Sequence, residues 1–192
     1  MMVPRLEPPS PICADAEFAN GGLERLWLSR KVADDGPVGL IIGLNPSTAG
    51  ASVETNDQTI KKMTVFTRQW GWSGFIMANL FTYIETKSAK LKNLAYHKAV
   101  GEYGDRVLER VIYQVPHIVC AWGAAVPKQK RHRVSAVQSY LRVLARPDAQ
   151  LWCFGLAKDG SPVHPLMLGY DTKLVPYVLP DAPRVASRRD DE

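Results

Sequence analysis

The chain has 192 residues, of which 46% are hydrophobic and 22% are charged, values typical of a globular domain with one substantial core. No run of about 18 uninterrupted apolar residues is present, which excludes a membrane-spanning helix, and prolines near the N-terminus interrupt the apolar stretch that a signal peptide needs. The formal net charge of +5 favours an anionic partner, of which nucleic acid is the commonest.

The predicted elements begin with a flexible segment over residues 1–20 and a candidate edge strand, LERLWLSR, over 23–30. Four continuous apolar runs then predict strands that are covered on both faces. In chain order they are VGLIIGL (38–44), GFIMANLF (74–81), HIVCAWG (117–123) and LWCFGL (151–156). A second flexible segment is expected over 181–192.

Between these runs, three stretches carry apolar residues at helical spacing. They cover 57–70, 99–114 and 133–145, and Thr55, Asn56 and Asp57 are alternative caps for the first of them. The alternation of strands and helices predicts a single α/β domain over 21–180 with right-handed crossovers. We expect a three-layer α/β/α sandwich around a central four-stranded, mainly parallel sheet.

The cysteines and histidines show no metal-binding pattern. Cys13, Cys120 and Cys153 are widely separated, no CxxC pair occurs, and the four histidines lack the spacing of metal ligands. We therefore expect neither a metal nor a cofactor, and a reducing, cytoplasmic location at the nucleoid.

The candidate functional residues follow the apolar runs, because ligands of an open parallel sheet bind beyond the carboxyl ends of its strands. Asn45 follows the first run and precedes Pro46, so it is either a structural turn residue or an amide aimed at a ligand. Asn79 lies at the end of the second run and is either a satisfied core amide or a contact to the edge of a nucleobase.

Other candidates also have two interpretations. His164, in the loop SPVHPLML, is either incidental or catalytic, and Asp57 is either a helix cap or a carboxylate that assists a water. The basic run KQKRHR (128–133) is either a solvated loop or a contact to phosphates. Ser47 lacks the Gly-x-Ser-x-Gly surroundings of a hydrolase nucleophile, so a serine hydrolase is rejected.

Four segments, taken in order, resemble the active-site segments of the uracil-DNA glycosylase superfamily. They are GLNPS, MANLF, CAWGAAVPKQKR and VHPLML. The chain is also identified as a member of an uncharacterised family, the domain-of-unknown-function family numbered 1643, through LNPSTA, a DxTI helix start, NLF, WG and KDGxPxHPL. The first resemblance implies a glycosylase-like fold and hydrolysis of the N-glycosidic bond of a base flipped out of DNA.

The resemblance to the glycosylases also implies a role for each matched residue. Asn45 would position the attacking water, His164 would donate a hydrogen bond to the departing base, and Asn79 would bind the base edge. Leu44 and Phe81 are the further expected base contacts. The expected DNA contacts are Ser47, Thr48, Lys128, Lys130, Arg131 and Lys158, with Leu166 and Met167 as an apolar wedge that fills the space left in the base stack.

Two departures from the superfamily pattern change the expected substrate. Asn stands at position 45 where the fast uracil-specific branch has Asp, which implies a slower or differently selective enzyme. Leu166 and Met167 stand where the superfamily has Ser and Pro. We expect a monomer that acts on DNA without a membrane partner. The alternatives are an enzyme acting on free nucleosides or nucleotides, and a catalytically silent nucleic-acid-binding module.

Overall fold

The computed structural model describes residues 3–50 and 53–181, which form a mixed α/β fold around one sheet. The strands are β1 (Asp15–Ala19), β2 (Glu24–Lys31), β3 (Val38–Gly43), β4 (Gly74–Asn79), β5 (His117–Cys120), β6 (Gln150–Cys153) and β7 (Val175–Pro176). The α-helices are α1 (Gln58–Gln69), α2 (Tyr96–Val100), α3 (Gly104–Gln114) and α4 (His132–Leu144).

The four apolar runs form the centre of the sheet, as predicted. They are β3, β4, β5 and β6, which lie in the order β4-β3-β5-β6 and are parallel to one another. The continuous burial of β3 and β4 explains why both read as unbroken apolar sequence.

The sheet has seven strands, so the prediction of a four-stranded sheet is wrong. Its full order is β1-β2-β4-β3-β5-β6-β7, and the pairings of β1, β2 and β7 are antiparallel. The strand β2 matches the candidate edge strand, but it is an inner strand because β1 pairs with its other side. A bulge between Glu17 and Phe18 interrupts this pairing. The strands β1 and β7 were missed because five and two residues are too few to show a period.

The structure describes part of each terminal segment that the sequence predicts to be flexible. Within the segment 1–20, β1 is part of the sheet, and Arg5 forms ion pairs with Asp15 at 2.7 Å and with Glu17 at 2.6 Å. Of the segment 181–192, all but the first residue lie outside the described residues.

Helices pack on both faces of the sheet. On one face, Met63 and Phe66 of α1 share a buried cluster with Ile41 of β3 and Phe75 of β4. On the other face, α3 and α4 share a second buried cluster with the alternate strand residues, among them Leu40 and Ile42 of β3. This alternation follows from the two-residue period of a strand.

Local signals set the helix ends. The cap of α1 is Asp57, whose Oδ1 accepts a hydrogen bond from the Ile60 amide at 2.9 Å. The helix predicted over 99–114 is divided into α2 and α3, because Gly101 adopts a left-handed φ of 72° that a continuous helix does not allow. In the part of the chain that the structure describes, no helix is long and apolar enough to cross a membrane.

Candidate active site

A pocket of about 460 Å³ lies at the carboxyl ends of the central strands. In the sheet, β4 lies on one side of β3 and β5 lies on the other, so the chain connections leave β3 in opposite directions. A crevice at such a switch point is the usual ligand site of an open α/β sheet, and its volume is within the range of small-molecule sites. Six predicted residues line it: Leu44, Asn45, Ser47, Asp57, His164 and Leu166.

A larger pocket, of about 540 Å³, lies elsewhere, beside β1 and α2. None of the predicted site residues lines it. The smaller pocket is the better candidate because it lies at the carboxyl ends of the parallel strands and is lined by six of the predicted residues.

Asn45 is held in one orientation by the backbone around it. Its Nδ2 donates hydrogen bonds to the carbonyl oxygens of Pro46, at 2.9 Å, and Glu85, at 2.7 Å. Because carbonyl oxygens accept only from the amide nitrogen, these contacts fix which side of the amide is nitrogen. No donor in the described residues bonds to Oδ1 of Asn45, so this oxygen remains an acceptor for a ligand in the pocket that the residue lines.

His164 is held by its own loop. Its Nδ1 accepts a hydrogen bond from the Leu166 amide at 3.2 Å, at the start of a short 3-10 turn. The ring is half-buried, and this burial lowers its pKa, although the negative charge of Asp57 opposes the shift. A neutral ring whose Nδ1 accepts must carry its proton on Nε2. The remaining nitrogen of His164 is therefore a hydrogen-bond donor.

The end of β5 supports the histidine loop. The amide of Gly123 donates to the Pro162 carbonyl at 2.9 Å. Gly123 has a φ of 73°, and a Cβ on it would lie 2.9 Å from Cβ of His164. The glycine thus allows the imidazole-bearing backbone to approach the strand end closely.

Two buried arginines hold the loop that carries Asn45. Arg25 donates to the Ala49 carbonyl at 2.7 Å, and Arg30 donates to the Gly50 carbonyl at 2.7 Å and to Oδ1 of Asn56 at 2.8 Å. Burial lowers the pKa of Arg25 to about 10, while the carboxylate of Asp57 opposes this change. These contacts hold the backbone at Ala49 and Gly50 and the side chain of Asn56, which precedes Asp57.

Lys62 of α1 fixes the loop after His164. Its Nζ donates to the Leu166 carbonyl at 2.9 Å and also to the Leu168 carbonyl. The carbonyls hold the backbone while the side chains project outward, because Leu166 is 43% exposed and Met167 is 89% exposed. An exposed apolar tip therefore stands on a fixed loop at the edge of the pocket.

Asn79 and Phe81 do not line the pocket. Asn79 is 3% exposed, and neither polar atom of its amide has a partner in the described residues. Its Oδ1 lies against β3, where a Cβ on Gly43 would be 2.7 Å away. Phe81 is fully buried in the core cluster on the side of α3 and α4, so we leave it out of the proposed site.

The predicted DNA-contacting cations are spread over the surface and the core. Lys128 and Lys158 are exposed, and Arg131 is exposed and lies 3.6 Å from the Asp159 carboxylate. Lys130 is only 5% exposed, and we leave it out of the proposed phosphate contacts. These residues and the exposed Thr48 lie outside the lining of the pocket.

Several residues that shape the site were not predicted from the sequence. Arg25, Arg30 and Lys62 act on the loops from other elements, and no local pattern marks such contacts. A strand that carries two arginines among apolar residues, as β2 does, was the one available signal of buried charge.

A metal ion needs several ligating side chains close together. Among the described residues, no group of three or more His, Cys, Asp or Glu side chains is arranged to hold a metal ion.

Comparison with known proteins identifies a family without a described activity. One family model, described as "Protein of unknown function (DUF1643)", matches residues 25–166. No curated protein and no solved structure matches the chain. Because the family match covers well over half of the chain, including the segments of Asn45 and His164, the protein belongs to the DUF1643 family.

Proposed function

We propose that the protein is a DNA glycosylase-like enzyme that hydrolyses the N-glycosidic bond of a damaged, mismatched or modified base flipped from DNA. A pyrimidine is the base that the resemblance to the uracil-DNA glycosylase superfamily favours. The observation that carries the proposal is the pairing of an acceptor and a donor in one pocket. Oδ1 of Asn45 is free to accept from a water, and Nε2–H of His164 is free to donate to a base oxygen.

The reaction needs both groups. A water oxygen forms a bond to the sugar carbon while the carbon–nitrogen bond breaks and its electron pair leaves with the base. Asn45 cannot remove the proton of the water, so its part is to orient the nucleophile. His164, as a neutral donor, stabilises the negative charge that develops on the base oxygen.

Asp57 is the proposed acceptor of the proton from water. It lines the same pocket, and its Oδ1 caps α1, which leaves Oδ2 as the second carboxylate oxygen. The helix cap and the catalytic role are therefore compatible in one side chain. The base leaves as an anion and is protonated on release. The proton that the water loses therefore equals the proton that the base gains.

Asn79 is the proposed contact to the base edge. A buried amide without a partner is destabilising by about 1–3 kcal/mol, and the amide of Asn79 has neither its donor nor its acceptor used by the described residues. A base edge that reached β4 would satisfy both. Leu44 lines the pocket and is the proposed apolar contact to the base.

The loop after His164 is the proposed wedge. Extrusion of a base leaves a gap in the stack and requires a few kcal/mol. Met167 and Leu166 are exposed on a backbone that Lys62 fixes, so an apolar group enters the gap with little further ordering. Ser47, Thr48, Lys128, Arg131 and Lys158 are the proposed backbone contacts.

The proposal is tested by base release from an oligonucleotide panel that carries uracil, mismatches and hypermodified pyrimidines, with the released base identified by mass spectrometry. We expect Asn45→Ala and His164→Ala each to reduce the rate by roughly 100- to 10,000-fold. Asn93→Ala and His97→Ala are matched controls, because both residues are exposed and outside the pocket. Folded protein that releases no base from any member of the panel would contradict the proposal.

A second candidate function is an enzyme that acts on free nucleosides or nucleotides. The observation that favours it is the absence of Lys128, Arg131 and Lys158 from the pocket lining. This alternative predicts turnover of nucleosides without the salt-dependent duplex binding that phosphate contacts produce. A silent nucleic-acid-binding module predicts instead that Asn45→Ala leaves the biological activity intact.

A further inference from the structure

A third pocket lies at the opposite end of the central strands. Its volume is about 480 Å³, and it is lined by Pro37 before β3, His117 at the start of β5 and Gln150 at the start of β6. The six residues of β3 separate it from Asn45, which corresponds to roughly 20 Å along an extended strand. It shares no lining residue with the candidate active site.

Three of the five tryptophans of the chain line this pocket: Trp70, Trp72 and Trp152. The ring centroids of Trp70 and Trp72 are 4.8 Å apart and their planes are inclined by 58°, so the two indoles form a corner. Trp72 also stacks on His117, with centroids 5.1 Å apart and planes 11° apart. Trp70 and Trp152 are half-exposed, which leaves ring surface for a ligand.

The backbone builds this corner. The helix α1 ends at Gln69, and Gly71, two residues further on, has a φ of 73° that directs the chain back so that the Trp72 amide donates to the Thr67 carbonyl at 3.2 Å. On β3, a Cβ at Gly39 would lie 2.1 Å from the Trp72 ring. The glycine therefore lets the indole lie directly over the strand, beside His117 in the neighbouring position of β5.

The polar groups around the pocket define the class of ligand. Lys173 lines it, and none of its lining residues, all within the described part of the chain, is Asp or Glu. Gln69 and Gln150 add exposed amides, which pair well with the edges of nucleobases. Nδ1 of His117 is buried without a partner in the described residues. Burial lowers the pKa of this histidine, although a hydrogen bond with the Gln150 side chain opposes the shift.

These features exclude some ligands and favour one. Aromatic cages that bind quaternary ammonium ions use the negative face of the rings, and the ammonium of Lys173 would repel such a cation. A flat ring with an anionic group matches both the tryptophan faces and the lysine. We propose that this pocket binds a nucleotide, with its base against the tryptophans and its phosphate beside Lys173.

This inference goes beyond the proposed glycosylase and does not depend on it. The test is titration of the protein with each deoxynucleoside monophosphate, the matching nucleosides and 5′-phosphorylated single-stranded oligonucleotides. Binding is measured by tryptophan fluorescence and by calorimetry. We expect saturable quenching, with nucleosides bound roughly tenfold more weakly than nucleotides. Tighter binding of the mononucleotides indicates a free ligand, and tighter binding of the oligonucleotides indicates a strand end.

The variant Lys173→Gln carries the test, because Lys173 is exposed and its loss leaves the core intact. We expect nucleotide binding to weaken at least fivefold and nucleoside binding to stay unchanged. Lys92→Gln is the control for an equal change of charge, because Lys92 is exposed and lines neither this pocket nor the candidate active site. Trp152→Leu should weaken both ligands roughly tenfold, since base–aromatic stacking is lost. No saturable quenching at millimolar nucleotide, equal affinities in Lys173→Gln and the unchanged protein, or loss of binding in Asn45→Ala would each overturn the proposal.

Discussion

At the residue scale, Asn45 and His164 have the same hydrogen-bonding pattern. One polar atom of each side chain is bonded to the protein backbone, and the other is left for a ligand. Backbone carbonyls take both donors of the Asn45 amide, and a backbone amide takes the acceptor of the His164 ring. The orientation of each group is set before a substrate binds. This preorganisation is what a site needs if it acts by positioning and by hydrogen-bond donation.

The lowered pKa of His164 predicts a pH-dependent stability. Because the folded pKa lies below that of the unfolded chain, the unfolded state binds the proton more readily, and stability falls as the pH drops below about 6.5. Above that value the group contributes no pH dependence. Urea unfolding at about pH 5.5 and pH 7.5 measures the difference.

The control is His164→Gln, which should reduce the loss of stability at low pH. The reduction will be partial, since burial also lowers the pKa of His117 in the same direction. An equal loss of stability in His164→Gln and the unchanged protein would contradict the assignment of a neutral ring to His164.

The positions of Asn45 and His164 show which site residues a sequence can reveal. Both follow apolar runs, and the rule that parallel strands bind ligands at their carboxyl ends brings them together without knowledge of side-chain contacts. The burial of Lys130 could not be predicted in this way, because it belongs to the same basic run as the exposed Lys128. The same limit hid Lys62, whose partners are more than 100 residues away.

At the scale of elements, α1 organises the site from its N-terminal half. Its N-terminal cap is Asp57, which lines the pocket, and its Lys62 holds the loop of His164.

The helix α4 has a structural role. Its Arg133 is 1% exposed, donates to the Leu80 carbonyl at 2.7 Å and pairs with Asp105 of α3. The last residue of the basic run 128–133 is therefore a structural link, which explains why that run is not a continuous phosphate-binding surface.

Removal of the Lys62 ammonium should affect activity more than stability. We expect Lys62→Met, which keeps the apolar stem, to lower the free energy of unfolding by about 1 kcal/mol, since two partly solvated carbonyls lose a charged donor. The rate of base release should fall roughly tenfold, because a small displacement of a catalytic group has a large effect on rate. Chemical unfolding and single-turnover base release give the two values.

Lys61→Met is the matched control, because Lys61 is the preceding residue of α1 and its side chain is exposed. It should leave both quantities unchanged. Equal effects of the two substitutions would show that Lys62 does not position the histidine loop.

At the scale of the whole molecule, charge and fold together set the expected partner. The net charge of +5 is spread over the chain, and the exposed cations Lys128 and Lys158 belong to loops that follow β5 and β6. Because these strands are parallel, both loops emerge at the end of the sheet that carries the candidate active site. Lys128 and Lys158 therefore lie at the end of the sheet from which a ligand enters the pocket.

Salt dependence tests this arrangement. Duplex affinity should fall linearly with the logarithm of salt concentration, and Lys128→Gln and Lys158→Gln should each reduce the slope by about 1. Lys130→Gln should leave the slope unchanged, because Lys130 is buried. Fluorescence anisotropy with a labelled duplex measures all three, and a slope that responds to Lys130 alone would contradict the assignment.

The outermost strands of the sheet have a consequence for self-association. At one margin, β1 carries Asp15 and Glu17 and a bulge; at the other, β7 is two residues long and ends in Pro176, which has no amide proton to offer. Acidic side chains, bulges, short length and proline all discourage a further strand from docking. Neither border offers a template for fibril-like growth, so the concentrations needed for substrate screening should be reached without aggregation through the sheet.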